Sequence, residues 1–250
     1  MSGLPSLEAG RRRVAALLGL PQLHGRIHQL ERRVESLETQ LHESREEAWE
    51  RSRTRWRAAE PNANLTWAVE LTGDAFIDRA EHHGAFGEGR HVVEVGPGYG
   101  RLLSTIMKRS LPFGRFTGID LSQANVDHLA RRFTDDDRIS FRVEDVEQAR
   151  FEQPVDAVLS SLTFKHLFPS FEAALSNLAG QMSPGGIVLF DLIEGSRRYF
   201  EDDDVTYIRW YERGEVEELL GRCGVELVAF EEVRHHPSLA RLLVIGRRAT

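Results

Sequence analysis

The spacing of apolar residues changes near residue 60 of this 250-residue chain. From Leu20 it alternates three and four: Leu20, Ile27, Val34 and Leu41 share one core position, and Leu23, Leu30 and Leu37 the other. Ile and Val at the first position with Leu at the second favour a parallel two-stranded coiled coil, and Pro21 suits a first helical turn. Arg26 and Arg33 stand at g, with Glu31 and Glu38 at the following e positions. That register suits a homodimer through residues 20–48; one amphipathic helix folded back on its own domain explains the stripe but not the charges. Arg51, Arg53, Arg55 and Arg57, then Glu60-Pro61, read as helix end and linker with a solvated basic face, separating a helical segment 1–60 from a domain 61–250.

Beyond Pro61 apolar runs alternate with helix-period segments, the pattern of an α/β fold with a doubly wound sheet. The predicted strands are His91–Val95, Arg115–Ile119, Ile139–Val143, Val155–Leu159, Ile187–Asp191, Val225–Glu231 and Leu242–Arg247. Helices are predicted over 101–110, 122–133, 170–182 and 214–222. No repeat or low-complexity tract interrupts them.

Charge and cysteine usage narrow the partners. The chain carries a formal −7, and residues 1–60 hold 11 Arg against 9 Glu, so the acid excess lies in 61–250. This argues against nucleic acid, whose phosphates need clustered Lys and Arg. One cysteine, Cys223, excludes an internal disulfide and a cysteine-based zinc cluster. No apolar run approaches the roughly 18 residues of a transmembrane segment. Arg11–Arg13 before Val14–Leu20 faintly mimics a signal peptide, but the run is short and lacks a cleavage site. A cytoplasmic protein is expected.

The chemistry concentrates at Val92-Val93-Glu94-Val95-Gly96-Pro97-Gly98-Tyr99-Gly100. An apolar strand carries an acid near its end, and three glycines at alternate positions precede a helix. Such a turn at the carboxyl end of a parallel strand is where these sheets bind ligands. The dinucleotide fingerprint G-x-G-x-x-G is not met. Asp120 closes the next strand in Gly118-Ile119-Asp120-Leu121-Ser122, where a carboxylate can accept from both hydroxyls of a ribose; Ser122 can cap the following helix itself. Glu144-Asp145-Val146 follows the third strand, and Ser160-Ser161 the fourth.

This order of motifs over roughly 65–250 resembles the class I S-adenosylmethionine-dependent methyltransferases. The resemblance implies a seven-stranded, mostly parallel Rossmann-like sheet, order 3-2-1-4-5-7-6, with the last strand antiparallel. It implies S-adenosylmethionine as cofactor, bound by Glu94, Gly96, Pro97, Gly98, Gly100, Asp120, Leu121, Asp145, Val146 and Ser160, with Asp145 and a neighbouring backbone N–H on the adenine.

Transfer to a neutral hydroxyl needs a base near neutral pKa, and His166, just past the fourth strand, is the candidate. Lys165 could orient an anionic group. Tyr199, Tyr207, Trp210 and Tyr211, in a long connection rich in aromatic and charged residues, are candidate acceptor contacts, although Trp210 and Tyr211 could instead plug the core under the last helix. No metal site is expected: consecutive Asp202–Asp204 cannot all converge on one ion without a sharp turn. His82-His83 and His235-His236 read as surface residues, and Asn62–Asp74 as a lid. The expected activity is methylation of a small-molecule hydroxyl, with a sugar or polysaccharide precursor preferred. No Asn-Pro-Pro-Tyr-like tetrapeptide follows strand four, which disfavours N-methylation of bases or amides. RNA or N-methyl transfer, and a non-catalytic scaffold recruiting a partner through the coiled coil, stay open.

Overall fold

The computed structural model describes residues 30, 34, 44–61 and 71–249. Most of the heptad stretch 20–48 and of the expected lid lies outside them. The chain divides into two compact units, Met1–Ala48 and Trp49–Thr250. The arginine-rich residues 51–57 therefore belong to the second unit, where 49–57 are helical (α1).

In that unit α2 (Asp74–His82) leads into β1 (His91–Val95), α3 (Arg101–Lys108), β2 (Arg115–Asp120), α4 (Gln123–Arg132), β3 (Ile139–Val143) and β4 (Val155–Ser160). A short 3₁₀ turn, Phe164–His166, precedes α5 (Glu172–Ala179) and β5 (Met182–Glu194). Then come β6 (Arg198–Phe200), β7 (Tyr207–Tyr211), α6 (Arg213–Arg222), β8 (Val225–His236) and β9 (Leu239–Arg248).

Strands β3, β2, β1, β4 and β5 pair in parallel in that order. Ile187–Leu192 of β5 pair antiparallel with Arg247–Leu242 of β9, which pairs antiparallel with β8. With β8 and β9 as sixth and seventh core strands, the order is the anticipated 3-2-1-4-5-7-6. All five β1 residues are buried, because helices cover both faces of a parallel sheet. Phe76 and Ile77 of α2 and Leu102, Leu103 and Ile106 of α3 pack on one face. Leu175 and Leu178 of α5 and Val216, Leu219 and Leu220 of α6 pack on the other.

The sequence pattern missed a hairpin. The connection after β5 forms antiparallel β6 and β7, and Ile193 and Glu194 of β5 pair in parallel with Trp210 and Tyr211. Tyr211 is fully buried, and its hydroxyl accepts from Phe171 N at 3.3 Å. Tyr207 is buried too and donates to Pro169 O at 3.2 Å. Both tyrosines belong to the core. Among the described residues no helix is long and apolar enough to cross a membrane.

Candidate functional site

A cavity of about 1110 Å³, its open mouth included, lies at the carboxyl ends of β1, β2 and β4. The turn after β1 makes its floor. Gly96, Gly98 and Gly100 all take positive φ, 69°, 56° and 86°, and a Cβ on Gly100 would lie 2.6 Å from Leu129 Cδ2. Only glycine satisfies both conditions there. The main chain of Gly96–Gly98 is thereby exposed to the cavity, while Gly100 caps α3 and does not line it.

Acceptor atoms ring this floor. Asp120, 9% exposed, takes hydrogen bonds from Gly98 N (3.2 Å), Ser122 N (2.9 Å) and Asn125 Nδ2 (3.3 Å). Burial raises its pKa, which these bonds oppose. Ser122 caps α4 by accepting from Asn125 N at 3.0 Å. Asn125 Oδ1 and Glu94 Oε2 are buried with no partner, and both residues line the cavity. Burial in this apolar pocket pushes the Glu94 carboxyl up to about 8, against the pull of the Arg101 charge.

At the third strand the arrangement departs from expectation. Asp145 and Val146 line the cavity, but Asp145 Oδ2 accepts from Arg53 Nε of α1 at 2.5 Å, and Oδ1 from Glu147 N at 3.0 Å. Arg53 also lies 2.8 Å from Glu147 Oε1, and its guanidinium stacks 3.5 Å from the Trp49 ring. Residues read as a solvated linker are thus docked on the domain. Arg51 pairs with Asp204 at 3.1 Å and covers the Phe200 ring, so α1 spans from β3 to the hairpin. Sequence reasoning missed Arg53 and Trp56, both cavity-lining, because their partners lie about a hundred residues away.

Trp56 lies against His166 with ring centroids 4.3 Å apart and the rings tilted by 47°, and its Nε1 is buried without a partner. His166 Nδ1 lies 2.7 Å from Tyr207 O, so Nδ1 carries the proton and Nε2 keeps its lone pair. Burial, with the Lys165 charge beside it, lowers its pKa to about 3, so the imidazole stays neutral through the physiological range. A titration near pH 7, the reason for choosing it from the sequence, is absent from this environment. The hairpin serves the site through that one carbonyl. Tyr199, Tyr207, Trp210 and Tyr211 do not line the cavity, nor does Lys165, which is buried beside His166. Ser160 points away, donating to Val95 O at 3.0 Å, and Ser161 takes the lining position.

Ser161 opens a buried network. Its hydroxyl donates to Asp191 Oδ2 (2.8 Å) and accepts from Arg101 Nη2 (2.7 Å). Asp191 also takes Leu162 N (3.0 Å) and His235 Nε2 (2.9 Å). His235 is 1% exposed, which corrects its reading as a surface residue; His83, read likewise, pairs with Glu231 at 2.8 Å. Leu162 holds φ 63°, a strained backbone for leucine, and lines the cavity. The acid run is engaged elsewhere: Asp203 takes Thr206 N and Val205 N, and Asp204 takes Arg51.

The sheet order, the G-x-G-x-G turn and the acid closing β2 are those of the class I S-adenosylmethionine-dependent methyltransferase fold. Residues 92–186 match the family described as methyltransferase domain. Over 99 residues it is 31% identical to a malonyl-[acyl-carrier protein] O-methyltransferase of Priestia megaterium, covering 40% of this chain and 35% of that one. Over 104 residues it is 32% identical to a fatty-acid O-methyltransferase of Mycolicibacterium smegmatis, covering 41% and 37%. The match thus spans little more than a third of these relatives' length. The fold is shared with the 1,6-didemethyltoxoflavin-N1-methyltransferase of Burkholderia thailandensis, solved with S-adenosylhomocysteine (TM-score 0.61, 21% identity, 76% of this chain and 83% of that one). It is shared as well with the N-methyltransferase NodS of Bradyrhizobium japonicum (TM-score 0.56, 15% identity, 81% and 99%).

Proposed function

We propose that this chain transfers the methyl group of S-adenosylmethionine to an oxygen of a small-molecule acceptor. The observation that carries the reading is the pair of buried, unpartnered acceptor atoms, Glu94 Oε2 and Asn125 Oδ1, beside the glycine turn. Buried polar atoms are nearly always satisfied, so a ligand with donors and positive charge completes them. The cofactor supplies both, and its sulfonium makes the methyl electrophilic without help from the protein.

In this reading Asp120 and Asn125 receive the ribose hydroxyls, Gly96–Gly98 and Leu121 wall the nucleoside, and Asp145 with the Val146 backbone meets the adenine. Glu94 faces the cationic amino-acid end. His166 borders the acceptor, so His166→Ala is expected to lower turnover more than cofactor affinity. The names of the two relatives support oxygen as the atom methylated. A sugar hydroxyl loses one support, because the aromatic hairpin residues do not line the cavity. An RNA-binding arm loses another, since Arg51, Arg53 and Arg57 pair with Asp204, Asp145 and Glu50. Self-association through residues 20–48, in a cytoplasmic setting, completes the proposal on the heptads and the lone cysteine.

Calorimetry with S-adenosylmethionine, followed by labelled methyl transfer to pools of acids, alcohols, amines and RNA, tests this. Micromolar binding with label in an oxygen acceptor is expected. Binding without transfer to any pool would favour the scaffold reading instead.

A further inference from the structure

We propose that Arg101 takes the carboxylate of the cofactor's amino-acid end, and that Ser161 and His235 are the positioning residues that aim its guanidinium at that group. The inference rests on the methyltransferase reading above and adds how this chain holds the cofactor's one anionic group.

Arg101 lines the cavity with Glu94 and Ser161, and its guanidinium is tied down on one side. Nη1 donates to Thr72 O at 2.7 Å and to His235 Nδ1 at 3.4 Å, and Nη2 donates to Ser161 Oγ at 2.7 Å. Ser161 Oγ and His235 Nε2 donate in turn to Asp191 Oδ2, at 2.8 and 2.9 Å. The four side chains close a ring whose polarity Asp191 sets. Burial works against the Asp191 charge, but the bonds from His235 and Ser161 hold its carboxyl below the usual range, so it only accepts. Each bridge must therefore give its proton to Asp191 and turn a lone pair toward Arg101. His235 is thereby the neutral tautomer with its proton on Nε2. Asp191, His235 and Ser161 are all buried, so water does not compete for these bonds.

Those three bonds leave the Nε–H and one Nη2–H of Arg101 unused. The same two nitrogens grip a carboxylate side-on in Arg138–Asp136, Arg213–Glu194 and Arg222–Glu172 of this chain. Arg101 has no such partner: it forms no ion pair among the described residues. Glu94, on the same cavity, feels the Arg101 charge and keeps Oε2 unpartnered. An α-amino acid carries an ammonium and a carboxylate on one carbon. A carboxyl with a free oxygen and a cation with a free fork are the complement of that pair. The nucleoside brings no negative charge and the sulfonium is positive, so the amino-acid carboxylate is the cofactor group that the fork fits.

Calorimetry with S-adenosylmethionine and its decarboxylated analogue, which lacks only the carboxylate, tests the proposal. The parent protein should bind the analogue about 30-fold more weakly, or worse. Arg101→Met should raise the Kd of S-adenosylmethionine to that of the analogue, whose own Kd should move less than about threefold. Should Arg101→Met not fold, Arg101→Gln, which keeps donors for Thr72 O and Ser161, carries the same comparison. Positioning is read on Ser161→Ala and His235→Leu: each should raise the Kd of S-adenosylmethionine about fivefold with the analogue unchanged. His235→Gln, which offers both a donor and an acceptor, should restore it. A merely structural role would weaken both ligands alike, and Kd values equal to the parent's in both variants remove Ser161 and His235 from the proposal. Equal Kd for the two ligands in the parent, or equal weakening of both in the Arg101 variants, overturns the carboxylate assignment. The methyltransferase reading then stands as long as methylthioadenosine, the cofactor without its amino-acid end, still binds. Binding of none of the three overturns both.

Discussion

The two ends of the cavity carry opposite imbalances. Around the glycine turn the unpartnered buried atoms are acceptors, Glu94 Oε2 and Asn125 Oδ1; beside His166 the cavity-lining residue with an unpartnered atom supplies a donor, Trp56 Nε1. One end offers acceptors to hydroxyls and positive charge, the other a donor to a lone pair. The ends also differ in construction. The first comes from strand ends and the turns directly after them, while the second is assembled from α1, the 3₁₀ turn and one hairpin carbonyl. The difference teaches that unpartnered polar atoms, sorted by sign, distinguish two ligands within one cavity.

The largest break in that contrast is expected from Asp120→Ala. Two hydroxyl bonds to a carboxylate, each of about 1.5–3 kcal/mol, are lost, so cofactor Kd should rise about 100-fold or more by calorimetry. Acceptor affinity should not follow. An unchanged Kd would remove Asp120 from the nucleoside and leave the sign argument without its anchor.

Next comes Arg53→Met, which removes the bolt between α1 and β3. Asp145 and Glu147 would then face one another without their shared cation, and breaking a buried pair costs about 3 kcal/mol or more. The midpoint of thermal unfolding should fall by roughly 6 °C or more, with Arg53→Lys recovering part of it. A midpoint within a degree of the parent would show that α1 is not anchored there.

How much of this was legible follows from the same division. The glycine turn, Asp120 and the Asp145 position could be read because each sits within a few residues of a strand end, and β1, β2, β4 and β5 because buried parallel strands read as apolar runs. Arg53 could not, since its neighbours in sequence are solvated arginines and its partner is Asp145. His235 was hidden by His236: the dipeptide reads as polar surface, yet β8 alternation turns one histidine in toward Asp191 and the other out. The hairpin was masked by Glu201–Asp204, four acids that dominate the composition of its turn while Tyr207 and Tyr211 fill the core.

A smaller effect should separate positioning from contact. Asp191 takes Leu162 N and so holds a leucine at φ 63° on the cavity wall. Asp191→Asn can present its amide where an acceptor is needed, releasing that backbone; kcat should fall about tenfold while cofactor Kd holds, a change of about 1.4 kcal/mol. Adding Leu162→Gly, which adopts the same angle without strain, should recover much of the loss. If the double variant is as slow as the single one, strain at Leu162 is not how Asp191 acts.

The subtlest prediction concerns Glu94, whose carboxyl burial raises to about 8. A raised carboxyl contributes stability that is full below its unfolded pKa near 4.5 and is lost as pH climbs through about 8, because the folded chain must then bury a charge. A cation beside it reverses the preference. Below pH 8 the empty site holds Glu94 protonated, and binding S-adenosylmethionine releases that proton. Affinity should therefore climb with pH, by at most about tenfold per unit, and level off above about 8. Calorimetry at pH 7 in two buffers of different ionisation heat should register close to one proton released. Glu94→Gln, neutral at every pH, should bind a few-fold more weakly at pH 8 and show neither the slope nor the proton. A parent protein whose affinity is flat from pH 6 to 8 would mean that Glu94 does not face the cationic end, and the acceptor-rich end would need another ligand group to explain it.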